Sequence, residues 1–284
     1  MLIGAGVLAS AVAVNAQSGD DEHARPRFVS QHTSLIAGET QNIGIAFDID
    51  PGWHLYWMGQ NDTGFAPQIK LRLPEGFKSK PSLWPVPRRY FPAEDILDHA
   101  YFNQVLIILP LVVPEDTQPG QTVRITADLE WLVCEEACIP GAASISIDLP
   151  VAVRGTTSTP SPDANLFTST LARVPKELPT PLPSWLTVRL DESSVSVRAE
   201  NARRIAFYPY EKSRQALNLI AEGEVKGDTL RVRFKSSEAE RPPIAGVIEI
   251  EREGQPRPDV FVVRSERKSP DERPVSRSDT NGGS

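Results

Sequence analysis

The sequence predicts an all-β protein in two parts, a sandwich of antiparallel strands followed by a second, smaller β domain. Three observations predict it. Proline makes up 26 of the 284 residues, about twice the usual share, and each proline removes a backbone donor and fixes φ, which excludes long continuous helices. Residues 28–153 run in short stretches of alternating apolar and polar side chains, the period-two signature of half-buried strands. Turn chemistry separates the stretches at Asp50-Pro51-Gly52, Pro74-Glu75-Gly76 and Gln118-Pro119-Gly120. With 40% hydrophobic and 24% charged residues the composition is that of a soluble globular chain, and a net charge of −7 offers no basic surface for a phosphate backbone. No nucleic-acid partner is expected.

Residues 1–16 carry no charged side chain, are apolar from Leu2 to Val14 and end Val14-Asn15-Ala16, which predicts a secretory signal peptide with a small-residue cleavage site. An uncleaved anchor is the alternative, but about thirteen apolar residues fall short of the roughly twenty that span a bilayer. The longest later apolar run, 105–113, is interrupted by Pro110, so the mature chain is not expected to be transmembrane. Export places it where disulfides persist.

Strands are predicted at 41–49, 53–58, 67–73, 104–113, 122–133 and 143–153, a number and spacing that suit an immunoglobulin-like β-sandwich over residues 26–154. In the second of these, Trp53, Leu55 and Trp57 share the core-facing side, with His54, Tyr56 and Met58 opposite. Residues 81–102 are rich in Pro, Trp, Tyr and Phe without clean alternation and read as a long ordered loop lying over something. A Pro/Ser/Thr-rich linker is expected over 155–184, with prolines at 160, 162, 175, 179, 181 and 183 and a short helical stretch near 164–174. A second β domain follows at 185–264, with strands at 186–190, 194–198, 204–208, 229–234, 246–251 and 259–263. Residues 265–284 are charged and nearly without large apolar side chains, the composition of a disordered tail.

Both cysteines lie in Trp131-Leu132-Val133-Cys134-Glu135-Glu136-Ala137-Cys138-Ile139-Pro140-Gly141. A disulfide needs Cα atoms about 4.4–6.8 Å apart, whereas four extended steps separate them by roughly 13 Å. If they bond, the chain turns between them; a helical turn would serve, but the β-rich run before and Pro140-Gly141 after favour strand, turn and returning strand. Parity places Val123, Ile125, Ala127, Leu129, Trp131 and Val133 on the apolar face and Cys134 on the other, with Arg124, Thr126, Asp128 and Glu130. On the returning strand Cys138 shares the outward parity of Ser144, Ser146 and Asp148.

Three readings of the pair compete. A structural staple closing so short a loop stabilises by only about 2 kcal/mol. A metal site would need His23, His32, His54 or His99, none at ligand spacing. A redox-active dithiol fits an outward-facing, closely spaced pair in an exported protein. Glu130, Glu135 and Glu136 crowd the cysteines and disfavour a thiolate, so the pair suits exchange with a docked, dedicated partner rather than promiscuous attack. His54 and His99 are candidates to assist proton transfer, set against an ordinary structural role, and Glu94, Asp95 and Asp98 read as a solvated loop face. Neither a Gly-rich phosphate loop nor a G-x-S-x-G elbow is present, and no metal or other cofactor is called for.

Pro51-Gly52-Trp53-His54-Leu55-Tyr56-Trp57, Leu73-Pro74-Glu75-Gly76-Phe77, Trp84-Pro85-Val86-Pro87 and the cysteine segment together resemble the periplasmic N-terminal domain of DsbD-type thiol:disulfide interchange proteins, in particular the ScsB-like branch. Tyr208-Pro209-Tyr210-Glu211 and residues 243–250 resemble, more weakly, the second half of the ScsB-type periplasmic region. The resemblance implies a periplasmic thiol:disulfide oxidoreductase of the protein-disulfide reductase type. It would take electrons from a separate membrane transporter of DsbD or CcdA type and pass them to oxidised thioredoxin-like or disulfide-isomerase clients. It further implies that Cys138 attacks and Cys134 resolves, although three residues separate the pair here where the best-known members have five. A cap loop over the cysteines is implied at 91–99, with Phe91 or Ile96 as the lid side chain. Copper handling, cytochrome c biogenesis and general disulfide repair are all compatible client systems. The alternative from another class is a non-catalytic β-sandwich adaptor or chaperone whose short disulfide is structural.

Overall fold

The computed structural model describes residues 23–235 and 242–265. The signal peptide expected at 1–16, and all but the first residue of the tail expected from 265, lie outside the described residues. The first domain contributes β1 (Ala24–Ser30), β2 (Leu35–Ile36), β3 (Thr40–Ile49), β4 (His54–Tyr56), β5 (Gln68–Arg72) and β6 (Lys78–Ser79). It continues with β7 (Arg88–Ala93), β8 (Ile96–Phe102), β9 (Gln104–Val112), β10 (Thr122–Cys134) and β11 (Cys138–Ala152). These form two facing sheets, one ordered β1-β3-β9-β6 and the other β2-β11-β10-β4-β8-β7, with β5 also paired to β10. The result is the immunoglobulin-like sandwich that alternation predicts.

The core follows strand parity. Along β10, Val123, Ile125, Ala127, Leu129, Trp131 and Val133 are buried, and they meet Ile43, Ile45, Phe47 and Ile49 of β3. Phe47 and Trp131 touch edge to face with centroids 5.5 Å apart, an arrangement worth about 0.5–1.5 kcal/mol beyond its buried area. In β9, residues 105–111 are all buried because both faces are covered. One looks into the sandwich; the other lies under α1 (Ala164–Leu171), whose Phe167 packs with Val29, Ala46, Leu106 and Ile108.

Residues 81–102 differ from the loop that their lack of alternation suggests: 88–102 form the β7–β8 hairpin. Two physical reasons hide it. A register shift between Tyr90 and Ala93 interrupts the period, and 97–101 of β8 are buried on both faces, so no polar side remains to alternate. The predicted strand 53–58 is in turn reduced to the ladder of β4, because the chain leaves the sheet at Trp57 to enter residues 59–64.

The second domain contains β12 (Lys176–Glu177), β13 (Leu186–Leu190), β14 (Ser194–Ala199), β15 (Ala202–Pro209), α2 (Leu219–Glu222), β16 (Glu224–Val225), β17 (Thr229–Arg233), β18 (Ala245–Arg252) and β19 (Asp259–Arg264). Its sheets run β12-β19-β18-β15-β16 and β13-β14-β17 around a core that includes Val195, Val197, Phe207, Val232 and Ile248. The outer face of the larger sheet is not left to solvent. Ala206, Tyr208, Val247 and Val260 join the core of the first domain, so the two sandwiches share apolar packing.

Candidate functional site

Cys134 ends β10 and Cys138 begins β11, and they are the last directly opposed pair of this long hairpin. Opposed residues of antiparallel strands lie about 4.5–5.5 Å apart, so the ladder itself brings the two cysteines to bonding range. They form a disulfide with Cα atoms 4.1 Å apart. Glu135, Glu136 and Ala137 make the turn and are all exposed.

The two sulfurs do not share one environment. Cys138 is exposed, whereas Cys134 retains 3% of its surface despite its outward parity. The outer face of the sheet is covered at this end, and β4 supplies the first layer. His54 is the cross-strand partner of Cys134, which puts its side chain and that of Tyr56 on the cysteine's face. The Tyr56 hydroxyl donates to Cys134 Sγ at 3.1 Å and lies 3.6 Å from Cys138 Sγ.

A second layer holds the first. Tyr56 Oη is 2.9 Å from Thr63 Oγ1, and the Thr63 hydroxyl donates to Asp98 Oδ2 at 2.5 Å. Asp98 also accepts from the backbone N–H groups of Asp62 and Thr63 at 2.9 and 3.1 Å. Residues 59–64 are laced to β8 in both directions: Leu97 N–H donates to Asp62 Oδ2, and His99 N–H to Asn61 Oδ1. Gly64 is required where it stands, since a Cβ there would fall 2.2 Å from the Tyr56 ring.

Of the acidic residues on 94–98, Glu94 and Asp95 are exposed at the hairpin turn, but Asp98 is fully buried. The solvated face expected for all of them is therefore corrected for Asp98. Its carboxylate is the acceptor on which the covering loop folds. Burial raises the Tyr56 hydroxyl above its ordinary pKa, partly offset by the bond to Thr63, so at neutral pH it is a proton-bearing donor.

The two histidine candidates separate. His54 sits beside the site among the rings of Tyr56, Tyr90 and Phe102, and both its ring nitrogens are buried without a hydrogen-bond partner among the described residues. Burial lowers its pKa, and it is neutral. His99 faces the other way, against Trp57 and Tyr208 of the second domain, and its Nδ1–H donates to the Gln60 carbonyl at 2.6 Å. Burial lowers its pKa to about 4. Phe91 and Ile96 lie on the β7–β8 hairpin. Alternation from Phe102, which pairs His54, puts Ile96 on the face of Cys134, while Phe91 is 47% exposed with the Arg89 guanidinium over its ring.

Tyr56, Thr63 and Asp98 are the site residues that sequence reasoning missed. Alternation had placed Tyr56 on the face away from the core, the same side as Cys134 by parity; what was absent was the pairing of β4 with β10. A hairpin-tip cysteine pair with one sealed and one open sulfur, on an immunoglobulin-like sandwich, is the arrangement of a thiol-disulfide exchange domain. Residues 25–150 match the family described as "Thiol:disulfide interchange protein DsbD, N-terminal", so the first sandwich with its cysteine pair is the part of the chain that is similar to that family.

Among solved structures, the chain is similar to the N-terminal periplasmic domain of ScsB from Proteus mirabilis, with TM-score 0.53 and 17% identity over 88% of this chain and 95% of that one. The shared fold therefore takes in both sandwiches. The reduced N-terminal domain of DsbD from Neisseria meningitidis aligns with TM-score 0.28 and 11% identity over 51% of this chain and 96% of that one. No curated protein sequence matches.

Proposed function

We propose that this protein is a periplasmic thiol:disulfide oxidoreductase that relays electrons from a membrane transporter of DsbD or CcdA type to oxidised periplasmic proteins. The observation that carries the reading is the inequality of the sulfurs: Cys138 is open to a partner, and Cys134 is sealed beneath the Tyr56 hydroxyl. An incoming thiolate attacks Cys138 Sγ; the Cys134–Cys138 bond breaks, and its electron pair leaves on Cys134, where the Tyr56 hydroxyl donates to the new thiolate. The partner's second thiol then attacks the mixed disulfide and frees Cys138. Two electrons and two protons have moved, and the partner holds a disulfide.

Onward transfer reverses the roles. Cys138 attacks the client disulfide and Cys134 resolves the mixed species, leaving the client reduced. Glu135 and Glu136 beside the pair favour partners whose docking face is basic or neutral. Ile96, on the cysteine face, is the lid side chain that a partner displaces, whereas Phe91 lies under the Arg89 guanidinium. The protein is exported to reach these partners.

The test is the equilibrium potential of the couple, by thiol trapping of the full chain across a glutathione or dithiothreitol series. A potential above about −300 mV marks an exchangeable pair, and Cys138→Ala is expected to abolish mixed-disulfide formation while Cys134→Ala traps it. A lower potential, or a bond that resists reduction until the protein unfolds, assigns the disulfide to structure and the chain to the adaptor class.

A further inference from the structure

We propose that the second β domain is a working part of the redox site: it braces residues 59–64, and through them sets how firmly the Tyr56 hydroxyl is held on the sulfurs. The inference rests on the thiol–disulfide reading above and gives the second domain a role within it. Gln60 and Tyr210 are the positioning residues.

The contacts form one continuous path. On the second domain, β15 ends at Tyr208-Pro209 and is followed by Tyr210. Gly59 makes an antiparallel bridge with Tyr210, Gln60 N–H donates to the Pro209 carbonyl at 3.1 Å, and the Gln60 side-chain amide donates to the Ser213 carbonyl at 2.8 Å. The Tyr210 ring stacks on Trp57 with centroids 5.6 Å apart. No side chain fits at Gly59, where a Cβ would lie 2.4 Å from the Pro209 carbonyl oxygen and 2.0 Å from the Trp57 ring. The backbones of the two domains meet directly at this point.

From Gly59 the path runs to the sulfurs within five residues. The Gln60 carbonyl takes the His99 Nδ1–H, Asn61 and Asp62 bind β8, Thr63 holds the Tyr56 hydroxyl, and Gly64 packs on its ring. The loop thus has glycine at both ends, each where it presses on a neighbour: the second domain and Trp57 at one end, the tyrosine of the redox site at the other. The anchoring on β8 is itself covered by the second domain, since the His99 ring touches both Trp57 and Tyr208. With the Gly59–Gln60 end released, the loop loses one of its two supports and Tyr56 loses its fixed angle to Cys134.

The consequence is chemical. In the reduction step the electron pair of the broken S–S bond goes to Cys134, and a fixed donor favours that thiolate. A loosened donor favours it less. The full chain carrying Gln60→Ala and Tyr210→Ala is expected to be reduced by dithiothreitol about fivefold more slowly than the parent, the worth of one net hydrogen bond. In a Cys138→Ala background the Cys134 thiolate absorbance is expected to titrate at higher pH in the same pair of substitutions. In a Tyr56→Phe background neither substitution should change rate or titration further, because the group they position is gone.

If the double variant unfolds, Gln60→Ala alone removes only the amide bond to Ser213 and is measured in the same way. Unchanged rate and titration in a folded variant, while Tyr56→Phe moves both, overturn the inference and leave the relay standing. A parent protein that dithiothreitol does not reduce while folded overturns the relay reading itself, and this inference falls with it.

Discussion

Tyr56 carries one hydroxyl proton and has three acceptors within reach of it, Thr63 Oγ1 and the two sulfurs. The Thr63 hydroxyl gives its own proton to the acceptor-only carboxylate of Asp98, so toward Tyr56 it can only accept, and Cys134 Sγ competes for the same donor. A thiolate is the stronger acceptor of the two. The proton therefore follows the redox state, to sulfur when Cys134 carries charge. Tyr56→Phe is expected to raise the Cys134 thiol pKa and to slow reduction about fivefold, readable by thiolate absorbance and stopped-flow reduction. A variant with the parent's titration would leave the tyrosine a purely structural cover.

His99 makes a separate prediction at this scale. Its folded pKa is lowered to about 4, below the ordinary value near 6.5, so the unfolded chain binds the proton more readily. The stability this neutral histidine contributes is complete above about pH 6.5 and is lost as the pH falls toward 4. By pH 5 the loss from this group is about 2 kcal/mol. Urea unfolding at pH 7 and pH 5 should therefore differ by about that much less in His99→Gln than in the parent, because His54 and the carboxylates contribute equally to both.

At the scale of elements, what the sequence showed was parity, and what it withheld was cover. Along β10 the odd residues are the buried ones, and that much is legible from alternation alone. The strand-turn-strand geometry of the cysteine pair was legible too, from the impossibility of closing it in extended chain. Cys134 had the correct parity and the wrong exposure, because residues 59–64 lie on that face and nothing in local periodicity reports a covering segment from elsewhere. The β7–β8 hairpin was illegible for the same reason: 97–101 are buried on both sides.

The β10–β11 hairpin also carries a requirement written into its sequence. Gly141 opposes Trp131 across the ladder, and a Cβ at Gly141 would lie 2.2 Å from the indole. The ring uses the space that a side chain would take, just beyond the cysteine pair, and its own edge contact with Phe47 fixes it in place. Gly141→Ala must move the indole and is expected to cost about 1–3 kcal/mol of stability, measured as a lower denaturant midpoint with unchanged slope. An unshifted midpoint would show that the indole has room to rotate.

At the scale of the whole molecule, the junction between the sandwiches is read from burial in the structure and was not legible in the sequence. In β15, residues 205–209 are buried in succession, and in β18, 246–250. That is the pattern of a sheet covered on both faces. The cover is the first domain. Its Arg89 guanidinium donates to the carbonyls of Leu219 and Ile220 at 2.7 and 3.1 Å, and on the second domain Tyr208 gives its proton to Glu249 at 2.7 Å beneath Arg204. Tyr208 is fully buried, its ring touching both Trp57 and His99. Truncating a buried aromatic of this size costs about 3–5 kcal/mol, and here the side chain belongs to the first domain's core while its backbone is a strand of the second. Tyr208→Ala is therefore expected to destabilise the first domain as well as its own. In the parent, hydrogen-exchange protection of peptides from β10 and from β18 should be lost at one denaturant concentration, and the substitution should lower both together. Separate transitions, with β10 unmoved by the substitution, would mean that the shared packing does not couple the two sandwiches, and that the brace on residues 59–64 acts without it.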